Sequence, residues 1–589
     1  MIERMDPGSR IKSAALGLIL GLGFAVLLGR LFQMQVIGTE EYRTRAEENR
    51  IRPERITALR GSIFDRSGAV LADNRPSFSV SVIPYQVRRD RRVLEELSRL
   101  TGAPQALLQE RLQEGFARPY EPWPVLRDVD IAVVSRVEEH RHLLSGVLIE
   151  SEPVRRYPHG ELAAHVLGYL GEVSAEELQG GRRSVYGAGG RIGRNGVERI
   201  FDDRLRGRDG VRYVQEDAHG RPLGVVRENE PTPGEDLLLS LDADLQARAE
   251  SLLSAGGSGA IVALDPRSGD VLVLASRPGY DPNLFAVAIP PEVWDSLSGD
   301  PSHPLLNRAI QSTYPPGSTF KPITAMEGLL EGIVEPETRL LPCFGSYRFG
   351  RRVFHCWREE GHGSLPLRLA IERSCDVYFY QIGAEMDLDH FSEIAARYGF
   401  GRRTGIALPG EREGLLPTTD YMNKRYGRSG WGPGFLLNHS IGQGEILVTP
   451  LQIACFYASL GTGRSVSPRL LLQSEDVNGV ATAFPPEPGE SIDIAERVLR
   501  PVLDGIALAV EGEHSTGGAA RVPGMRVSGK TGTAENPHGE DHAWFAAWAP
   551  SDAPRIVVAV IVENAGHGGD VAAPLVGELL RYFFSREGV

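Results

Sequence analysis

Lysine is nearly absent from this chain. Only four of its 64 basic residues are lysine, at positions 12, 321, 424 and 530, and the other sixty are arginine. A GC-rich genome explains the bias as a whole. The remaining lysines are nevertheless informative, because a lysine in a dry pocket can release its proton at working pH and an arginine cannot. Two of the four, Lys321 and Lys530, lie in candidate catalytic motifs.

The chain also lacks an excess of positive charge. Its formal net charge is −13 at pH 7, which argues against nucleic acid as a partner because phosphate binding needs a basic surface. No internal repeat and no low-complexity tail is evident in the sequence. The 41% hydrophobic and 24% charged residues are typical of a globular protein. Since 589 residues exceed one compact core, we expect two or more domains.

One long uncharged segment lies near the N-terminus. Residues 13–29 carry no charge, and apolar residues up to Ile37 extend the segment to the ~20 residues that a membrane-spanning helix needs. No Ala-x-Ala site follows the segment, which favours an uncleaved anchor over a signal peptide. Basic residues precede it, so we expect a cytoplasmic tail at 1–12, a single transmembrane anchor at 13–37, and the remainder outside the cytoplasmic (inner) membrane.

A break rich in proline and glycine at 228–236 divides the exported part into two regions. The first, 38–235, has no strong catalytic constellation. The second, 236–589, alternates strands and helices, so we expect an antiparallel sheet covered by helices, in the α+β class. The expected strands are 260–264, 271–275, 543–549 and 556–562, and the expected packing helix is 574–584.

The pattern Ser-x-x-Lys occurs at Ser9 and again at Ser318. The first copy belongs to the membrane flank, so the spacing alone is weak support for catalysis. The second copy follows a Tyr-Pro-Pro-Gly turn and is expected to begin a helix at 318–330. Residues i and i+3 share a helix face, so the Lys321 amine can reach the Ser318 hydroxyl. Burial and the positive end of the helix dipole disfavour a protonated amine there, which predicts that Lys321 is the base.

Two further motifs follow in order. Ser-Cys-Asp at 374–376 precedes an apolar run, and Lys-Thr-Gly-Thr occupies 530–533. Lys-Thr-Gly suits an exposed strand edge, where glycine lets a substrate approach the backbone and the hydroxyl and ammonium groups bind a carboxylate. Each motif alone is weak, but the three together in this order predict an acyl-transfer site.

These three motifs resemble those of penicillin-binding proteins and serine β-lactamases. The resemblance covers nearly the whole chain, because the anchor, the run from Arg60 to Gly68 and the Gly-Gln-Gly at 442–444 are similar to class B penicillin-binding proteins. Asp376 stands where most of the superfamily has Asn, and this departure resembles the elongation branch. The resemblance implies a pedestal (dimerisation-type) domain at 38–235 and a transpeptidase domain at 236–589.

The implied activity is that of a peptidoglycan D,D-transpeptidase that also binds penicillin. Ser318 would attack the carbonyl between two D-alanines, release D-alanine, and pass the acyl group to an amine of a neighbouring stem peptide; transfer to water would give D-Ala-D-Ala carboxypeptidase activity. Backbone N–H groups of Ser318 and Thr533 would form the oxyanion hole, and Ser374 would relay a proton. The implied residues are Ser318, Lys321, Ser374, Asp376 and Lys530 for catalysis, and Thr531, Gly532 and Thr533 for substrate binding.

Three of the four cysteines cluster in sequence with a histidine. Thiolates of Cys343, Cys356 and Cys375 with the imidazole of His362 would make a closed structural zinc site. An exported protein could instead form a Cys343–Cys356 disulfide, and His355 is a possible substitute ligand. The resemblance to elongation-type members favours Zn²⁺, which would hold the Ser-x-Asp motif. The fourth thiol, Cys455, lies in an apolar stretch and is interpreted as a core residue.

Other functions remain open at this point. A β-lactamase would need a base that activates water, and a β-lactam sensor would need a larger cytoplasmic portion. A septal transpeptidase is the nearest alternative, separated mainly by Ser-x-Asp and the cysteine cluster. The sequence contains no glycosyltransferase motif, so the resemblance implies a SEDS-family polymerase of the RodA type, with other elongation-complex proteins, as partners.

Overall fold

A computed structural model describes residues 7–37, 51–88, 90, 92–117, 119–120, 122–174, 176–177, 186, 190–216, 222–287, 289–537, 539–586 and 588. Helices and strands alternate in an α+β fold, as predicted. The strands are β1 Ile51–Ile56, β2 Ile63–Phe64, β3 Val70–Val82, β4 Trp123–Val129, β5 Val147–Arg156, β6 Leu170–Glu172, β7 Arg191–Gly193, β8 Gly210–Glu216, β9 Pro222–Asn229, β10 Asp236–Leu239, β11 Gly259–Leu264, β12 Val271–Arg277, β13 Ser346–Phe349, β14 Arg352–His355, β15 Leu471–Glu475, β16 Ala481–Ala483, β17 Ser528–Ala534, β18 His542–Ala549 and β19 Ile556–Val562. The helices are α1 Pro7–Phe32, α2 Pro84–Val87, α3 Arg92–Thr101, α4 Gln105–Glu114, α5 Ile131–Glu139, α6 Ala164–Leu167, α7 Gly196–Ile200, α8 Asp202–Leu205, α9 Ala243–Gly256, α10 Pro291–Ser298, α11 Arg308–Gln311, α12 Lys321–Leu330, α13 Leu367–Glu372, α14 Asp376–Gly383, α15 Leu388–Arg397, α16 Thr419–Tyr426, α17 Pro433–Ser440, α18 Pro450–Thr462, α19 Glu496–Glu511 and α20 Ala572–Arg586.

The N-terminal segment is one long apolar helix. Helix α1 continues into a π-helical turn at Gln33–Ile37. The stretch Ala14–Ile37 is 24 residues long, has a mean hydropathy of 2.1 and buries none of its surface against the protein. At ~1.5 Å per residue this length exceeds the ~30 Å hydrocarbon core of a bilayer. The predicted single-pass membrane anchor is therefore confirmed as a helix of sufficient length, while its orientation stays a prediction.

Two compact units follow from the contacts within the chain. The first comprises Met1–Ala58, Phe78–Glu150 and Arg208–Thr232. Among its described residues, β1, β8 and β9 form one antiparallel sheet in the order β1-β8-β9, and residues 78–82 of β3 pair with β4. Apolar faces of α3, α4 and α5 pack against β3 and β4 to make its core, as expected for amphipathic helices on a sheet.

The second unit comprises Leu59–Ser77, Ser151–Gly207 and Pro233–Val589. Its central sheet is antiparallel, in the order β12-β11-β19-β18-β17. Alternate side chains of these strands enter two separate cores, one under α9 and α20 and one under α12 and α18, which follows from the two-residue period of a strand. The predicted strands and the predicted C-terminal packing helix are all present, so the sheet covered by helices is confirmed. The expected domain boundary at residue 235 rests on sequence alone and stays a prediction.

Candidate active site

The serine of the Ser-x-x-Lys motif lies on a 3₁₀ turn, Gly317–Phe320, and α12 begins only at Lys321. The prediction of one helix from Ser318 onwards is wrong in this detail. A 3₁₀ helix has three residues per turn, so Ser318 and Lys321 still share one face. Pro322 occupies the first turn of α12, where its missing N–H costs nothing.

A glycine allows this turn to approach the neighbouring strand. Gly317 has φ +55°, and a Cβ there would lie 2.4 Å from the Thr533 carbonyl oxygen. The Gly317 N–H donates to the Gly442 carbonyl at 2.9 Å. Only glycine can adopt this positive φ and also avoid a clash with the Thr533 carbonyl. The glycine therefore allows the turn that carries Ser318 to lie close to the Lys-Thr-Gly strand.

Lys321 is the centre of the polar cluster. Its side chain is fully buried, and Nζ donates to Asp376 Oδ1 at 2.7 Å, to the Ser374 carbonyl at 2.9 Å and to Ser374 Oγ at 3.1 Å. An ammonium group has three hydrogens, so each of these three acceptors can receive one hydrogen bond. Within the described residues the hydroxyl of Ser318 has no hydrogen-bond partner, and this side chain is half-buried. The structure thus brings Lys321, Ser374 and Asp376 into direct contact, and the predicted nucleophile Ser318 lies one turn before Lys321 with its hydroxyl free of hydrogen bonds to the described residues.

Ser374 and Asp376 are held by backbone geometry at the start of α14. Ser374 has φ +53°, a left-handed conformation that costs a non-glycine residue ~1 kcal/mol or more. Asp376 is buried, and its second oxygen, Oδ2, accepts the Trp357 N–H at 2.9 Å. Burial raises the pKa of the Asp376 carboxyl, and the Lys321 charge opposes that rise.

The Lys-Thr-Gly motif lies on β17, which is the edge strand of the central sheet, as predicted. The first two side chains of the motif are covered by the protein, because Lys530 is fully buried and Thr531 is 8% exposed. Lys530 Nζ donates to the Thr531 carbonyl at 3.3 Å and to its hydroxyl at 3.4 Å. Burial, together with the nearby Lys321 charge, lowers the pKa of Lys530 well below its ordinary value.

The lack of a side chain at Gly532 allows the 3₁₀ turn to pack closely against β17. A Cβ on Gly532 would lie 2.8 Å from the Thr319 methyl group and 2.9 Å from the Pro316 carbonyl. The 3₁₀ turn therefore lies directly against the strand at this residue. The next carbonyl, of Thr533, accepts the Gln443 side-chain N–H at 3.0 Å.

Three contacts of the site were not among the predicted residues. Trp357 holds Asp376, Gln443 holds Thr533, and the Thr516 hydroxyl accepts from the Thr531 hydroxyl at 3.0 Å. For Gln443 a signal existed, because it lies between two glycines in a loop that resembles the family. Trp357 contributes its backbone N–H to Asp376 and its indole N–H to the Ser374 carbonyl at 3.1 Å, but it lies outside the three motifs.

The four predicted metal ligands come together. The β13–β14 hairpin places Cys343 and Cys356 at its two ends, and Cys375 directly precedes α14. The three thiols and His362 are all buried, and their ligand atoms lie within 4.8 Å of one another. His362 Nδ1 lies 3.5 Å from the Cys356 sulfur and 3.7 Å from the Cys343 sulfur. All four cysteines of the chain are free thiols, and the alternative ligand His355 is exposed on β14, with Cys455 buried in α18.

The three thiols of this cluster interact with one another through hydrogen bonds. Hydrogen bonding from Cys375 lowers the pKa of both Cys343 and Cys356, and the same contacts raise that of Cys375. The other imidazole nitrogen, Nε2 of His362, is buried without a hydrogen-bond partner in the described part of the chain. Two thiolate-prone sulfurs beside an imidazole are a donor set that favours a soft, tetrahedral metal ion.

Known proteins resemble this chain over most of its length. The penicillin-binding protein transpeptidase domain matches residues 259–581, and the penicillin-binding protein dimerisation domain matches residues 55–239. Peptidoglycan D,D-transpeptidase MrdA of Acinetobacter baumannii is 35% identical over 578 residues, covering 95% of this chain and 85% of the relative.

Solved structures of similar proteins also match this chain over most of its length. The penicillin-binding protein PBP2 of Helicobacter pylori, in its complex with MreC, matches with a TM-score of 0.78 at 27% identity and covers 91% of this chain and 100% of its own. A chain from a peptidoglycan synthase complex that coordinates polymerization and crosslinking matches with a TM-score of 0.71 at 32% identity, covering 98% of both chains.

Proposed function

The chain belongs to the class B penicillin-binding proteins, and we propose that Ser318 is the nucleophile of its peptidoglycan D,D-transpeptidase reaction. Its similarity to chains named MrdA and PBP2 favours the elongation branch over the septal alternative. The observation that carries the residue assignment is the fully buried Lys321 amine, one 3₁₀ turn from Ser318 and in contact with Ser374 and Asp376. A buried amine with this environment is what nucleophile activation requires.

Acylation consumes a stem peptide that ends in D-alanyl-D-alanine. The Ser318 oxygen forms a bond to the penultimate carbonyl carbon, and its proton passes to the Lys321 amine, which becomes available once the ammonium has given one proton to the Asp376 carboxylate 2.7 Å away. The carbon–nitrogen bond to the last D-alanine then breaks, and Ser374, 3.1 Å from Lys321, relays the proton to the leaving amine. Backbone N–H groups of Ser318 and Thr533 stabilise the oxyanion, typically by ~3 kcal/mol for each donor.

Transfer reverses these proton movements. An amine of a second stem peptide attacks the acyl carbon, the Ser318 oxygen–carbon bond breaks, and the amine proton returns to the serine through Ser374 and Lys321. Lys530 and the hydroxyls of Thr531 and Thr533 bind the terminal carboxylate of the donor, since all three groups can donate hydrogen bonds to an anion and the negative charge of the carboxylate favours the protonated form of Lys530. Penicillin, which mimics the donor, acylates the same serine.

Labelling with a fluorescent penicillin tests this assignment. Wild-type full-length protein in detergent should be labelled, and Ser318→Ala should not. Ser9→Ala is the matched control, because Ser9 lies in the same Ser-x-x-Lys spacing at the membrane flank. Labelling of Ser318→Ala at the wild-type level would contradict the proposal.

We also propose that Cys343, Cys356, Cys375 and His362 hold a structural Zn²⁺ ion. Four buried donor atoms within 4.8 Å, with His362 Nδ1 facing the sulfurs of Cys343 and Cys356, fit such a group. When bound, zinc would supply folding energy and take no part in acyl transfer. Because Cys375 lies between Ser374 and Asp376, the ion would restrain the relay residues.

Elemental analysis of purified protein tests the zinc proposal. Wild type should contain about one zinc ion per chain at this site, and Cys356→Ser or His362→Ala should lose it. Cys455→Ser is the control, because Cys455 is a buried thiol away from the cluster. Equal zinc in wild type and Cys356→Ser would refute the site.

The proposal also covers the partner proteins of this chain and its orientation in the membrane. Similarity to chains solved with MreC and within a peptidoglycan synthase complex supports membership of an elongation complex, and a RodA-type SEDS polymerase would supply the glycan strands. The anchor α1 would leave residues 1–12 in the cytoplasm and the catalytic unit in the periplasm. Protease added to intact spheroplasts should digest the catalytic unit; full protection would refute this orientation.

A further inference from the structure

A second group of metal-ligating side chains lies on the helix that begins with Lys321. Glu327 is on α12, Glu331 is the C-cap residue of that helix one turn later, and His390 faces both from the first turn of α15. His390 Nδ1 lies 2.7 Å from Glu327 Oε2 and 2.8 Å from Glu331 Oε1. The three ligand atoms lie within 4.8 Å of one another. One imidazole nitrogen is thus shared between two carboxylates from a neighbouring helix.

Glu327 is the unusual member of this group. Its side chain is 0% exposed, and neither of its carboxylate oxygens has a hydrogen bond of acceptable geometry among the described residues. Nδ1 of His390 is close to the carboxylate but is likewise without a properly directed hydrogen bond. No lysine or arginine forms an ion pair with Glu327 or Glu331 in the part of the chain that the structure describes. His390 is the one ion-pair partner of Glu327 among the described residues, and it carries a positive charge only when protonated. With a neutral imidazole, a bound cation would offset the cost of burying this carboxylate.

We propose that Glu327, Glu331 and His390 bind one divalent transition-metal ion. Two carboxylates and one imidazole are a donor set suited to Mn²⁺ and also to Zn²⁺. Ligands at ~2.1 Å from a metal and ~90° apart are separated by ~3 Å, so the observed contacts need to widen by only a few tenths of an ångström. Glu331 and His390 are 43% and 31% exposed, which gives water access to the remaining coordination positions.

This site differs from the cysteine cluster in both position and chemistry. It contains no sulfur, and it joins α12 to α15 instead of restraining the Ser-x-Asp motif. Mn²⁺ distinguishes the two sites, because it prefers oxygen and nitrogen donors to thiolates. Its uptake can therefore be measured in protein whose cysteine cluster is intact, and failure of one metal proposal leaves the other standing.

Mn²⁺ titration of the full-length chain in detergent, followed by the electron paramagnetic resonance signal of free Mn²⁺, tests the proposal. Wild type should bind about one ion, and the affinity should fall at least about tenfold in Glu331→Gln and in His390→Ala, because each removes one ligand. Glu393→Gln is the matched control: Glu393 is on α15, three residues from His390, but pairs with Arg397. Its affinity should equal that of wild type.

Thermal unfolding supplies a second measurement. Excess Mn²⁺ should raise the Tm of wild type and of Glu393→Gln, because a ligand that binds only the folded state stabilises it, and should leave that of His390→Ala unchanged. Penicillin labelling verifies that each variant is folded, and the half-exposed Glu331 provides a mild substitution if His390→Ala misfolds. A shared proton among the three side chains, instead of a metal, would give no uptake by wild type. That result, or equal uptake by wild type and Glu331→Gln, would overturn the proposal.

Discussion

Replacing Ser374 separates the proposed proton relay from the backbone strain at the same residue. Ser374→Ala removes the hydroxyl that lies 3.1 Å from Lys321 Nζ and keeps a side chain at φ +53°. Ser374→Gly also removes the hydroxyl but relieves the left-handed conformation. The two variants therefore share the chemical loss and differ in the conformational cost.

The hydrogen bond between Ser374 and Lys321 determines how far the acylation rate should fall. A hydrogen bond to a charged group contributes ~1.5–3 kcal/mol, which alone corresponds to a loss of roughly 10- to 150-fold in rate. A relay that acts in the transition state contributes ~10²- to 10⁴-fold. We therefore expect both variants to be acylated at least about 10²-fold more slowly than wild type. Their stabilities should differ by ~1 kcal/mol in favour of glycine, because glycine accepts positive φ without strain.

The assay is the second-order rate constant of acylation by a fluorescent penicillin, with thermal unfolding of the same samples. Slow acylation of Ser374→Gly at undiminished stability would support the relay. If Ser374→Gly is acylated at the wild-type rate, the hydroxyl is dispensable, and the contact with Lys321 is structural only.

Three further predictions concern other buried residues, Gly317, Glu198 and His165. Gly317→Ala should slow penicillin acylation by at least about tenfold, because its Cβ would lie 2.4 Å from the Thr533 carbonyl; a wild-type rate would contradict the packing described for this turn. Glu198→Ala should lower the free energy of unfolding by ~3–5 kcal/mol in denaturant titrations, because it leaves the buried Arg60 and Arg155 without the carboxylate that pairs with both; a change under ~1 kcal/mol would refute this. Burial lowers the pKa of His165 from 6.5 to about 4, so the unfolded chain binds the extra proton and stability falls by ~3 kcal/mol as pH drops from 6.5 to 4. His165→Gln should reduce this loss of stability between pH 6.5 and 4. An unchanged loss would show that other groups cause it.

The central sheet was predictable from sequence because its strands carry strong local patterns. The runs at 260–264, 271–275, 543–549 and 556–562 are apolar throughout, and in the structure they are buried on both faces. The division into two compact units was harder to predict from the sequence. They are each assembled from three separate segments, and no local pattern reports which distant segments pack together.

The sequence placed Lys321, Ser374 and Asp376 in one candidate site, and the structure brings these three residues into contact, but the individual contacts were not predicted. Three motifs identified Ser318, Lys321, Ser374 and Lys530, but the start of α12 was misjudged, because 3₁₀ and α turns share an i, i+3 spacing. The burial of Lys530 also escaped prediction, since a motif does not reveal what covers it. The group at Glu327 and His390 joins residues 63 positions apart, so only the fold brings them together.

The central claim is that Ser318 carries the acyl group, and peptide mapping by mass spectrometry tests it most directly. Full-length protein is incubated with penicillin, digested, and the peptide that gains the penicilloyl mass is sequenced. We expect a single adduct, located on the Ser318 hydroxyl and absent from Ser318→Ala. An adduct on Ser374 or on any other residue, or one that persists in Ser318→Ala, would contradict the assignment.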